Sequence, residues 1–368
     1  MVYYAIMLFG YMTSWFNKRL FFYLLVIILM LLAFFRFGIG LDYFAYEYLF
    51  NIIQPSISDE IKFGVEGKEI GFRIIAAISK ELGLNYQQFL VIFAFINLFF
   101  VAKICKKYAI NPTLSLIIFF CFYYITWVFS GIRQGLTIAV GLYYLLDCIE
   151  KNKTLKLIII SILLSTIHAS ALFLIVLYFL LKMDFSKRTL MLLSIISIIF
   201  SVLPTGSIVI KLASIPIIKE AMVYTDTSNS LNLLDYQGIA RIILLVMAFV
   251  FYDYYVKQNE MSKNIIKLYI LSFIIYFFFQ FSELTAARLA IYGRYLEAII
   301  LGNVLYGFKE KINRLIYVFA ILIICTLYLT KEMNAQINRI IVNAEIAPYV
   351  HIFNKDDYIF TRNIFISD

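Results

Sequence analysis

The sequence predicts an all-α membrane protein, a polytopic bundle of transmembrane helices. Three observations carry this expectation. The chain is 63% hydrophobic and only 15% charged, with a mean hydropathy of +0.88, whereas soluble domains hold about 45–50% apolar and about 25% charged residues. Apolar runs such as Leu20–Phe35, Leu114–Val128, Leu157–Leu181 and Ile242–Phe251 recur along the whole length, and about 20 mostly apolar residues suffice for a helix to cross a bilayer. The runs are continuous rather than alternating, which selects helices over barrel strands as the way to satisfy backbone groups in lipid. A soluble globular fold is excluded.

Taken in order, the spans fall at 2–16, 20–36, 86–104, 112–130, 134–149, 157–181, 189–203, 238–256, 265–281, 288–308 and 314–330, about 11–12 crossings in all. Residues 1–330 read as one transmembrane domain without internal repeats, with outer loops at 38–85 and 204–237 and a tail at 331–368. The first apolar stretch is followed, not preceded, by its charges (Lys18, Arg19), so it reads as an uncleaved span and not a signal peptide. The four cysteines, Cys105, Cys121, Cys148 and Cys325, have no paired spacing and read as thiols packed in helices.

The net charge of +9 is a topology signal and not a nucleic-acid signal. Lysines and arginines gather in six short clusters: Lys18 and Arg19; Lys103, Lys106 and Lys107; Lys151, Lys153 and Lys156; Lys182, Lys187 and Arg188; Lys257, Lys263 and Lys267; Lys309, Lys311 and Arg314. Short basic loops stay in the cytoplasm. The N-terminus, 38–85, the 131–134 turn, 204–237, 282–294 and the tail are then expected outside. Residues 157–181 break the alternation, because both ends adjoin cytoplasmic clusters. Either one crossing misplaces a cluster, or the segment is a hairpin of two short helices turning near Thr166–Ser170. The hairpin is preferred; it presents His168 to the outer side.

Polar residues within or beside the spans need a reason, since a charge at the bilayer centre costs about 2.5–3.5 kcal/mol on insertion scales. In Arg36–Tyr46 two glycines free the backbone to turn, and Arg36 and Asp42 are placed to pair across the turn. Glu69-Ile70-Gly71-Phe72-Arg73 opens an amphipathic segment, where Glu69 can simply serve the helix dipole. Arg133 lies in Gly131–Gly135, between two spans with almost no loop; it is either a snorkelling side chain or an anion clamp with a planar fork of donors. His168 is either a satisfied polar group or a proton-exchanging one. Glu283, Arg288, Tyr292, Arg294 and Glu297 cluster near the tenth span, where Arg294 and Glu297 are spaced to pair.

Arg36–Tyr46, with the pattern R-x-G-x-G-x-D-Y-x-x-Y, resembles the EpsG family of polysaccharide-biosynthesis membrane proteins, which are similar to Wzy-type polymerases. So do Glu69-x-Gly71-Phe72, Gly131–Gln134, His168–Ala171 and Arg288-x-x-x-Tyr292, in that order over about residues 30–300. The resemblance implies a GT-C-like, inverting glycosyltransferase without metal or other cofactor. It implies undecaprenyl-diphosphate-linked oligosaccharides as donor and acceptor, joined at the outer face of the bacterial cytoplasmic membrane into O-antigen, capsule or exopolysaccharide. A flippase and a chain-length regulator are the implied protein partners. On that reading Arg133, Arg288 and Arg294, with Arg36 as a fourth, bind the diphosphate. His168 is the first choice of base, with Asp42 or Glu69 second, although His168 is equally suited to hold the diphosphate. Gln134, Tyr43, Tyr46 and Tyr292 are the expected substrate contacts. The main rival is a flippase for the same lipid-linked glycan, which also uses arginines in a cavity; an acyltransferase or a scaffold is a more distant one.

Overall fold

In a computed structural model the described residues are 1–64, 67–203, 236–280, 282–343 and 347–361. The expected outer loop 204–237 lies almost wholly outside them. All named elements are helical; two isolated bridges, Arg36 with His351 and Ile341 with Phe360, are the strand-like pairings among the described residues. Each expected span coincides with a helix or a broken pair of helices.

The helices are α1 (Val2–Ser14), α2 (Arg19–Phe35), α3 (Tyr43–Ile52), α4 (Ile57–Phe63), α5 (Ile70–Glu81), α6 (Tyr86–Tyr108) and α7 (Pro112–Phe119). Then come α8 (Ile132–Glu150), α9 (Thr154–Ser165), α10 (Phe173–Lys182) and α11 (Lys187–Val202), followed by α12 (Tyr236–Val250), α13 (Tyr252–Val256), α14 (Glu260–Phe278), α15 (Glu283–Arg294), α16 (Glu297–Val304) and α17 (Lys311–Gln336). Local chemistry starts them where they start. Asn85 and Gln88 form a reciprocal capping box on α6, Asn111 caps α7 with Pro112 in its first turn, and Asn259 caps α14. Each such cap satisfies an otherwise orphaned N–H and is worth about 0.5–2 kcal/mol. Among the described residues, five stretches are long and apolar enough to cross a membrane: 86–108, 112–130, 132–150, 260–278 and 311–336. On α17 the residues Ile312, Ile316, Phe319, Ile323 and Leu327 are 56–64% exposed and recur at helical spacing, an apolar stripe of the kind a spanning helix turns to lipid.

The chain groups into two compact units. The first holds Met1–Tyr144, Ile158–Leu172 and Ala298–Asp368; the second holds Leu145–Leu157 and Phe173–Glu297. In the first unit α1, α2, α6, α7 and α17 pack side by side, and α3, α4 and α5 form the 38–85 segment. In the second, α14 is central, with α10, α11, α12, α13 and α15 packed against it. Gly293 of α15 makes the close approach there: a Cβ would stand 2.7 Å from the Ser272 Cβ and 2.8 Å from the Leu268 carbonyl.

The structure resolves the 157–181 ambiguity in favour of the hairpin. Helix α9 ends at Ser165, a 3-10 turn covers Ala169–Leu172, and α10 leads back. At the feet Thr154 and Tyr178 hydroxyls are 2.7 Å apart, and the Lys182 ammonium donates to Asn152 Oδ1 at 2.7 Å. The 112–130 span departs from a uniform α-helix: Phe120–Ser130 is an 11-residue π-helix. The 288–308 span is broken at Tyr295–Leu296, and 238–256 at Phe251. Hydropathy ends the last span at 330, but α17 continues to Gln336, because a helix does not stop where its residues become polar. The rest of the described tail folds back: Phe37 N–H donates to Val350 O at 3.0 Å, Ile352 N–H to Phe35 O at 3.0 Å, and Tyr349 OH to Leu32 O at 3.0 Å. All four cysteines are buried free thiols.

Candidate functional site

The π-helix fixes the site from below. Arg36 is 1% exposed. Its Nη1 donates to the carbonyls of Ile39 and Phe129, both at 2.6 Å, and its Nη2 to that of Val128 at 3.4 Å. The guanidinium also lies 4.8 Å from the Phe129 ring centre. Arg36 is therefore a strut joining the 36–42 turn to the end of the π-helix, with its fork spent on main-chain oxygens. The expected Arg36–Asp42 pair is replaced by these carbonyls, and the expected fourth cation for the diphosphate is sealed from any ligand. Gly40 makes the turn possible: its φ is +109° and a Cβ would stand 2.6 Å from Phe129 O, a conformation and a gap that only glycine tolerates. Asp42 is exposed at the start of α3, and its N–H donates to Ser130 Oγ at 3.3 Å.

Above this turn three expected residues meet within the first unit, Arg133, Glu69 and Tyr46. Arg133, in the first turn of α8, donates Nη1 to Glu69 Oε2 in an ion pair, and Nε to the Tyr46 hydroxyl at 3.4 Å. Its side chain is 15% exposed and that of Glu69 is 25% exposed, so the pair reaches the surface. The guanidinium sits 5.2 Å from the Phe72 ring centre and 5.7 Å from that of Tyr46, a cation-π clamp that fixes its plane. The second terminal nitrogen, Nη2, makes no hydrogen bond among the described residues. Burial pushes the Tyr46 phenol up, against the pull of Arg133, so Tyr46 stays neutral.

The hairpin tip closes the cluster. Ala169 N–H donates to the other Glu69 oxygen, Oε1, at 3.3 Å, and Gly71 N–H donates to Thr166 O at 2.7 Å. Glu69 thus bridges α8 and the hairpin, and His168 stands next to its contact. A Cβ at Gly71 would collide with Thr166, whose carbonyl oxygen would be 2.8 Å away. His168 Nδ1 lies 2.8 Å from Ser170 Oγ and accepts the Ser170 N–H at 3.4 Å.

The expected substrate contacts are packed residues. Tyr43 is 2% exposed with its hydroxyl on Gln87 Oε1 at 3.1 Å; Tyr46 is 7%, Gln134 4% and Tyr292 0% exposed. As sugar contacts they have no open surface; Tyr46 acts instead on Arg133. Arg288, Tyr292 and Arg294 belong to the second unit. There Arg294 Nε pairs with the buried Glu297 at 3.3 Å, as the spacing predicts, and Arg288 is half-buried. The same unit holds a polar group that the sequence reading did not single out: Arg241 lies 3.8 Å over the Tyr276 ring centre. In the first unit it also passed over Glu332 of α17, whose carboxylate accepts from Thr126 of the π-helix. The signal available was a lone threonine deep in an apolar span.

This geometry accompanies a decisive match: the EpsG family sequence model covers residues 19–351. The chain belongs to the EpsG family. Members of the EpsG family are Wzy-like polymerases, so a role of the polysaccharide-polymerase type follows at family level. No curated protein and no solved structure matches the chain.

Proposed function

We propose that the protein joins undecaprenyl-diphosphate-linked repeat units into a polysaccharide at the outer face of the bacterial cytoplasmic membrane, as O-antigen, capsule or exopolysaccharide. The supporting observation is the surface-reaching cluster Arg133–Glu69–Ala169 beside His168, with a guanidinium nitrogen left to bind. In the reaction an acceptor sugar hydroxyl attacks the anomeric carbon of the donor glycan. The new glycosidic C–O bond forms as the C–O bond to the diphosphate breaks, and configuration inverts. The lipid diphosphate leaves with the electron pair.

Negative charge grows on the leaving group, and fixed donors there lower the barrier most. Arg133 supplies such a donor, held in plane by Phe72 and Tyr46. His168, held beside the Arg133–Glu69 pair by Ser170, is a second group suited to a phosphate oxygen. The proton of the attacking hydroxyl then goes to a carboxylate, and Glu69 is the one the cluster holds in place. Glu69 thus takes the part of the base, and His168 that of a diphosphate ligand.

The test uses purified protein in proteoliposomes supplied with lipid-linked repeat units on the accessible face. Polymerisation lengthens the glycan ladder; a flippase moves the lipid and leaves chain length unchanged. A single-repeat product from active wild-type preparations overturns the polymerase reading.

A further inference from the structure

At the opposite end of the first unit from the 36–42 turn lies a cavity of about 300 Å³, a size at the lower end of small-ligand sites. It opens between the end of α1, the start of α7 and the start of α17. Trp15, Asn111, Tyr306, Lys311, Arg314 and Leu315 are among its lining residues. We infer that this cavity binds the phosphate headgroup of an anionic phospholipid, with the acyl chains lying along the exposed face of α17.

Charge is the first ground. Lys311 makes no hydrogen bond or ion pair among the described residues. Arg314 donates Nε to the Phe308 carbonyl at 2.7 Å, which orients the guanidinium and leaves its terminal nitrogens without an acceptor among the described residues. The nearest acid in sequence, Glu310, has its Oε2 on the Asn313 amide at 3.0 Å and does not line the cavity. Two cations therefore face one opening with no carboxylate among its walls. Two of the other polar walls are already engaged: Tyr11 donates to Val318 O at 2.7 Å, and Asn111 to Ser14 O at 2.8 Å.

Depth is the second ground. Trp15 is 64% exposed and Tyr306 36% exposed, and such aromatics sit at headgroup level. Leu315 is 43% exposed and begins the apolar surface that continues through Ile316 and Phe319. A ligand bound here meets cations at one end and a lipid-facing apolar stripe at the other. An amphiphile with a phosphate head matches both ends; a free anion matches only one. Arginine near the surface of the bilayer and lysine beside it each attract an anionic lipid by about 1 kcal/mol.

Full-length protein in detergent, titrated with phosphatidylglycerol or phosphatidylcholine and followed by native mass spectrometry, tests this. One phosphatidylglycerol is expected to be retained in preference to phosphatidylcholine. Lys311→Gln, a change at an exposed side chain with no partner among the described residues, is expected to weaken retention about fivefold, and Lys311→Gln with Arg314→Gln about 25-fold. Lys311→Arg is expected to retain the lipid. Lys18→Gln with Lys309→Gln, basic residues outside the cavity lining, is expected to leave it unchanged. Equal retention of phosphatidylcholine, or equal loss in the Lys18 and Lys309 pair, overturns the proposal. Displacement of the lipid by millimolar inorganic phosphate also overturns it, since the site would then read the anion alone.

Discussion

Arg133 and Arg36 show how two arginines in similar sequence settings diverge. Both sit at the ends of apolar helices and both carry a guanidinium fork, but one fork closes on main-chain oxygens and the other keeps a free limb. Arg133→Ala is expected to cut polymer synthesis by about 10²–10³ while the protein still inserts, leaving single-repeat glycans in a ladder assay. Arg133→Lys is expected to restore only part of it, because an ammonium cannot serve Glu69 and a phosphate as a fixed fork. Glu69→Gln keeps the shape and removes the proton acceptor; it is expected to be at least as damaging as His168→Gln, and the reverse order returns the base to His168. The residue types of this cluster were legible in the sequence, since charged groups beside lipid are costly and few. Which arginine was structural was not, because that depends on carbonyls freed where the π-helix ends, a long-range fact without a local signature.

Between residues and bundle, two irregular elements organise the site. The hairpin α9–α10 was legible because basic clusters flank both ends of one apolar run. Its docking was less so, although Gly71 marks it: Gly71→Ala is expected to push α5 off Thr166 and reduce activity strongly with normal expression, as judged by ladder assay and membrane yield. The π-helix was not legible, since its 11 residues are as apolar as any α-helix. It widens the turn so that the carbonyls of Val128 and Phe129 face Arg36, and such segments often mark functional sites. Deleting one residue from Phe120–Ser130 would rotate α8 by about 100° and carry Arg133 away from Glu69. Loss of polymerisation with retained insertion is the expected outcome; full activity of the deletion would mean that the π-helix only fills space.

At the scale of the whole chain, apolar runs made the all-helical, polytopic architecture legible, because the bilayer imposes it. The division into two units was not legible, since the chain leaves the second and returns to the first through α16 and shows no linker. Single cysteines at the exposed positions 59 and 152 are expected to react with impermeant reagents from opposite sides of the membrane. The hairpin has one more consequence, for parity. A chain that reverses at His168 adds an even number of steps where a through-going helix adds an odd one. Every later helix then has the opposite polarity to that given by counting hydrophobic peaks. A reporter fused after Asn152 and one fused after Asp184 should therefore give the same signal.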